Sequence, residues 1–88
     1  MTFISLLSPR GKGKEAIDYL KKLKPPKGII VQNIYVTLGR YDAVVVFDAA
    51  DIDRAMRFAI QVGTATDFTI ETLAAVPVID LKGMRVAY

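Results

Sequence analysis

The apolar residues of this chain change spacing several times between residues 2 and 77. Residues 2–7 form a short, mostly apolar run closed by Ser8-Pro9, which reads as a β-strand. Ala16, Ile17, Leu20 and Leu23 then fall at helical spacing, with lysines and Asp18 on the opposite face. Pro25-Pro26 stops this helix, and Lys27-Gly28 completes the turn. Residues 29–37 are rich in β-branched and aromatic types and predict a second strand. Ala43-Val44-Val45-Val46-Phe47 predicts a third, reached through a hairpin at Gly39-Arg40. Asp51 is a suitable N-cap for a second helix, whose expected apolar stripe is Ile52, Ala55, Met56 and Ala59, widened by Phe58 and Val62. Gly63 is the expected C′ residue, and Thr64 to Asp67 the following loop. Phe68 to Val76 predicts the fourth strand, stopped by Pro77. The expected elements are thus strands near 2–7, 29–37, 40–48 and 68–76, and helices near 12–24 and 52–62.

That order is β-α-β-β-α-β. With right-handed crossovers it is the split β-α-β, or ferredoxin-like, arrangement: an α+β domain with a four-stranded antiparallel sheet over residues 1–77, followed by a tail, residues 78–88. Helices cover only one face of such a sheet, so the other face should show polar residues at alternate positions. Ala43 to Phe47 shows none, and residues 3–7 offer only Ser5. The uncovered face therefore needs a cover, and the same face of a second copy is the most economical one. The tail is expected to pack on the partner subunit or cap a sheet edge. Gln32 and Asn33 interrupt the second strand, and strict alternation turns one of them inward.

Composition narrows the chemistry. The chain has 88 residues, 52% of them hydrophobic, which suits one small domain with apolar surface to spare. There is no cysteine, histidine or tryptophan. Disulfides, zinc–thiolate centres and cysteine nucleophiles are excluded, and so is the commonest general base and metal ligand near neutral pH. No cofactor or metal site is expected. The net charge of +3 is uneven: residues 10–27 carry seven basic side chains against Glu15 and Asp18. These lysines read as the solvated side of the first helix rather than an anion-binding face. No stretch approaches the roughly 20 apolar residues of a membrane span, and the N-terminal apolar run is too short for a signal-peptide core, so a cytoplasmic protein is expected.

Leu38-Gly39-Arg40-Tyr41-Asp42-Ala43-Val44-Val45-Val46-Phe47 resembles the signature of the GYD-domain family, with an arginine between glycine and tyrosine. Asp48-Ala49-Ala50-Asp51, Gly63 and Glu71-Thr72-Leu73 are similar to that family in order and spacing, and the likeness covers roughly residues 2–77. The resemblance implies the dimeric α/β-barrel form of the ferredoxin-like fold and no established reaction. Thr64 to Asp67 is more acidic than the family's usual loop, which argues against anion binding there.

The candidate ligand-binding residues are Asn33, Tyr35, Tyr41, Asp42, Glu71 and Thr72, with Gly39 as a structural turn residue. Tyr41 and Asp42 follow the turn, where an aspartate often does no more than accept backbone N–H bonds. Glu71 lies within an apolar strand, on the opposite face from Thr72. Inside a cleft it would titrate high and serve as acid or base; at a solvated position it would pair with an arginine. Three functional classes follow. The first is a homo-oligomeric, non-catalytic module for small-molecule binding or assembly. The second is a cofactor-free enzyme (oxygenase, isomerase or decarboxylase) using Tyr35, Tyr41, Asp42 and Glu71. RNA binding is last: Phe3 and Phe47 would supply the stacking platforms, but the strands are nearly all aliphatic.

Overall fold

In the computed structural model, which describes residues 1–9, 13–66 and 68–80, four strands and two helices follow in the expected order. They are β1 (Thr2–Pro9), α1 (Gly13–Lys21), β2 (Ile29–Val36), β3 (Ala43–Ala49), α2 (Ile52–Thr66) and β4 (Phe68–Ala75), with a short 3₁₀ turn at Val78–Asp80. The strands form one antiparallel sheet ordered β2-β3-β1-β4, so β1 and β3 are central and β2 and β4 are the edges. No described helix is long and apolar enough to cross a membrane.

The alternation that β3 lacks in sequence appears in its burial. Ala43, Val45, Phe47 and Ala49 are buried against the helices, while Val44, Val46 and Asp48 on the other side are half-buried. On β1, Phe3, Ser5 and Leu7 join the buried set. The core closes with Leu20 from α1 and Ala55, Phe58 and Val62 from α2. Three rings anchor it: Phe47 lies 5.6 Å from Phe3, near-parallel, and 4.9 Å from Phe58, edge-on. The buried Ser5 hydroxyl is satisfied by the Thr72 hydroxyl at 2.8 Å.

Three expectations need correction. Gly63 does not end the second helix; α2 runs through it to Thr66, whose hydroxyl donates to the Val62 carbonyl at 2.5 Å. A helix interior tolerates glycine when the packing around it is strong, and Val62 beside it is buried. The stripe of α2 is also rotated: Ala55, Phe58 and Val62 face the core, while Ile52 and Met56 are more than half exposed. The inward-pointing amide of β2 does not exist either. A bulge between Val31 and Asn33 inserts Gln32 as an extra residue, so both amides stay exposed while Val31 and Ile34 both pack on the core. Phe3 and Phe47 are core residues, which counts further against the RNA-binding alternative, since base stacking needs exposed rings.

The expected N-cap is present: the Asp51 carboxylate accepts the Arg54 backbone N–H at 2.8 Å. Arg57 pairs with Asp53 one turn along α2, at 2.9 Å. Gly39 has φ +127° and Gly28 has φ +91°, both in the region that disfavours side chains. Lys21, Lys22, Lys24 and Lys27 are exposed. The expectations for Asp67, for the side chains of residues 10–16 and for residues 81–88 lie outside the described residues.

Candidate functional site

Ladder register sorts the sheet's open face into three rows. Tyr35, Val44, Leu6 and Glu71 lie in one row across β2, β3, β1 and β4; Asn33, Val46, Ile4 and Leu73 in the next; Ile30, Asp48, Thr2 and Ala75 in the third. The centre is aliphatic: Ile4, Leu6, Val44 and Val46, all half-buried. Ile30, Tyr35 and Leu73 extend it outward, exposed at 67%, 53% and 45%. Polar hydrogen-bonded groups occur only at the two ends of this strip among the described residues.

At one end, Tyr41 Oη donates to Glu71 Oε2 at 2.9 Å, reaching over β1 to do so. The loop before β3 is tied down to hold the ring there. The Thr37 N–H donates to the Asp42 carbonyl at 2.9 Å, the Asp42 N–H to the Leu7 carbonyl at 2.8 Å, and the Thr37 hydroxyl to the Tyr41 carbonyl at 2.6 Å. The Arg40 guanidinium stands 5.7 Å from the centre of the Tyr41 ring, within cation–π range. The hydrogen bond to Glu71 is the main cause that raises the Tyr41 pKa above its ordinary value. Tyr41 is thus a neutral donor at physiological pH, and the pair leaves acceptor capacity on Glu71 facing outward.

At the other end, Thr2 Oγ1 donates to Asp48 Oδ1 at 2.8 Å, and the Gln32 amide donates to Asp48 Oδ2. These hydrogen bonds, that from Thr2 first, lower the Asp48 pKa. The N-terminal ammonium donates to the Ala49 carbonyl at 3.0 Å and adds a smaller pull in the same direction. The four residue steps along β1 from Thr2 to Leu6 set the two ends about 13 Å apart.

The structure therefore brings Tyr35, Tyr41 and Glu71 to one end of the open face and places Asn33 in the middle row. Asp42 is half-buried, and its bonds run through its backbone N–H and C=O rather than through its carboxylate. Thr72 is on the helix side with Ser5, separate from Glu71. The Thr2–Asp48–Gln32 group and Arg40 are additions to the sequence-based site. Asp48 was legible in parity alone: it shares the side of Val44 and Val46. The bulge that brings Gln32 to it was not. Among the described residues no cluster of three metal-ligating side chains occurs.

No curated protein and no solved structure matches the chain. The GYD domain family matches residues 8–84, from the end of β1 through β2, β3 and β4 and past Pro77 into the tail. The match covers most of the chain, and with its Gly39–Asp42 turn it belongs to the GYD domain family.

Proposed function

We propose that the chain is a homodimeric module that packs through the open sheet face, encloses a small-molecule site there, and carries out no chemistry of its own. The observation behind this reading is the aliphatic strip Ile4–Leu6–Val44–Val46, which lies on the side opposite both helices yet is more apolar than a solvated sheet face needs to be. A two-fold axis through the strip would bury it in both copies. It would leave the Tyr41–Glu71 and Thr2–Asp48 ends at the mouths of the enclosed space. Those ends are rich in acceptors, so the favoured ligand is a small apolar body bearing hydroxyl or amino donors. The absence of cysteine fits a reducing interior, and the proposed site of action is the cytoplasm.

One observation favours a second reading, cofactor-free catalysis. The Tyr41–Glu71 hydrogen bond is an acid–base pair at the edge of the proposed cavity. A phenol that already donates to a carboxylate and titrates high is a poor base, which ranks this reading second. Turnover lost in Glu71→Gln with the fold intact would install it.

The dimer is tested by concentration and by parity. The thermal midpoint should rise with protein concentration, because folding and association are coupled. Val45 is 1% exposed, so Val45→Asp should unfold the chain. Val44→Asp should leave a folded but weakened monomer by sedimentation. A wild-type chain that sediments as a monomer at micromolar concentration, with a midpoint independent of concentration, would refute the reading.

A further inference from the structure

A second apolar surface lies on the helix side, independent of the open face. Ile52, Met56 and Ile60 recur every four residues along α2 and are exposed at 56%, 58% and 63%. They form one wall of a groove of about 410 Å³ between α2 and the edge strand β4. Ala55 and Ala59 keep its floor low, and Ile70 and Ala74 supply the β4 wall. Its polar lining is Thr72, whose hydroxyl is already bonded to Ser5. Such a groove has no donor or acceptor to offer and suits aliphatic side chains.

We propose that the groove is the seat of the chain's own C-terminal segment, residues 81–88. Direction and length support this occupant. Phe3 pairs with Ala74 and Leu7 with Ile70, so Ala74 lies at the end of the sheet where β3 hands over to α2, beside Ile52. The chain leaves β4 at that end, through Val76-Pro77 and the turn at Val78–Asp80. The eight residues that follow, Leu-Lys-Gly-Met-Arg-Val-Ala-Tyr, reach about 26–29 Å when extended. The groove from Ile52 to Ile60 is about 12 Å long, at 1.5 Å per helical residue. Leu81, Met84 and Val86 supply the aliphatic side chains. The family match extends to residue 84, nine residues beyond the last strand, so the first half of this segment belongs to the shared domain plan. A tethered segment also competes at an effective concentration that a free partner rarely reaches. The concave floor of alanines accepts single side chains better than the convex α2 of a second copy.

The absence of native cysteine makes a direct test clean. Met56→Cys is combined in turn with Leu81→Cys, Met84→Cys and Val86→Cys in the full chain, under mild oxidation. At least one pair should close a disulfide within a single chain, read on a non-reducing gel and by mass spectrometry. Leu73→Cys, on the opposite sheet face, should not close with the same tail positions. Disulfides only between chains would assign the groove to a partner's tail and overturn the proposal, as would free thiols in all three pairs. As a second readout, a chain ending at Asp80 should bind more apolar dye and exchange its α2 amides faster. Unchanged dye binding and exchange would equally overturn it. Neither readout depends on whether the sheet faces associate.

Discussion

Gly39 gives the sharpest stability prediction, because its environment separates backbone strain from side-chain contact. Its φ is +127°, and a Cβ built there meets no atom within 4 Å. Any cost of substitution is therefore a cost of the backbone alone. Left-handed geometry costs a side-chain-bearing residue about 1–2 kcal/mol, and sparsely populated regions about 1–3 kcal/mol. Alanine recovers about 0.4–1 kcal/mol by restricting the unfolded chain. The net expectation for Gly39→Ala is about 1–2 kcal/mol of destabilisation, and Gly39→Val should cost at least as much. In a domain of this size that lowers the thermal midpoint by roughly 5–15 °C. Gly39→Asn adds a discriminating arm. Asparagine tolerates the left-handed region near φ +57°, which lies far from +127°, so it should bring little relief. The assay is thermal and urea unfolding by circular dichroism at one fixed protein concentration, since association would otherwise shift the midpoint. A Gly39→Ala midpoint equal to wild type would refute the reasoning, because the turn would then relax to negative φ without loss.

Three further outcomes are expected. Phe58→Ala removes a ring that is 2% exposed and edge-on to Phe47, and should cost about 3–5 kcal/mol by urea unfolding; a smaller loss would mean that the core collapses around the gap. Tyr41 should ionise above the ordinary tyrosine value by ultraviolet difference absorbance, and Glu71→Gln should bring it down. Because the folded pKa is raised, this contribution to stability is present below the unfolded tyrosine pKa of about 10 and fades as pH rises through the folded value. Asp48 has the opposite sign: its folded pKa is lowered, so its contribution is present above about pH 4 and is lost as pH falls through the folded value. Asp48→Asn should flatten the acid limb of the stability profile, and an unchanged limb would show that the Thr2 and Gln32 hydrogen bonds carry no net stabilisation.

How much was legible in sequence depends on how local each signal is. Pro25-Pro26, Asp51 and Gly39 act on their own backbone neighbours, and the elements they bound fall where their chemistry puts them. Glu71 and Thr72 were separable by parity alone, and they do lie on opposite faces. What failed was information set by the third dimension. Ile52 and Met56 are as hydrophobic as Phe58 and Val62, and only the angle at which α2 meets the sheet decides which pair is buried. Gln32 and Asn33 obey no alternation because the bulge is a property of two strands in register, invisible in either one. Tyr41 was legible as a turn residue, but its partner sits 30 residues away, across a strand. Distant pairs of this kind appear only once the ladders are fixed.

The bulge in β2 also bears on what the sheet can join. Among the described residues β2 and β4 are each unpaired on their outer edge, and a regular edge invites further strands to add and so to polymerise. At Gln32 the spacing of outward N–H and C=O groups falls out of step, and the local twist increases. An incoming strand could pair on one side of Gln32 or the other, but not across it. At the far edge, Pro77 lacks the N–H that would prolong the β4 ladder. A chain so rich in β-branched residues is thereby steered away from open-ended fibre growth, and association through a face, which closes on itself, becomes the safer outlet for its surplus apolar surface.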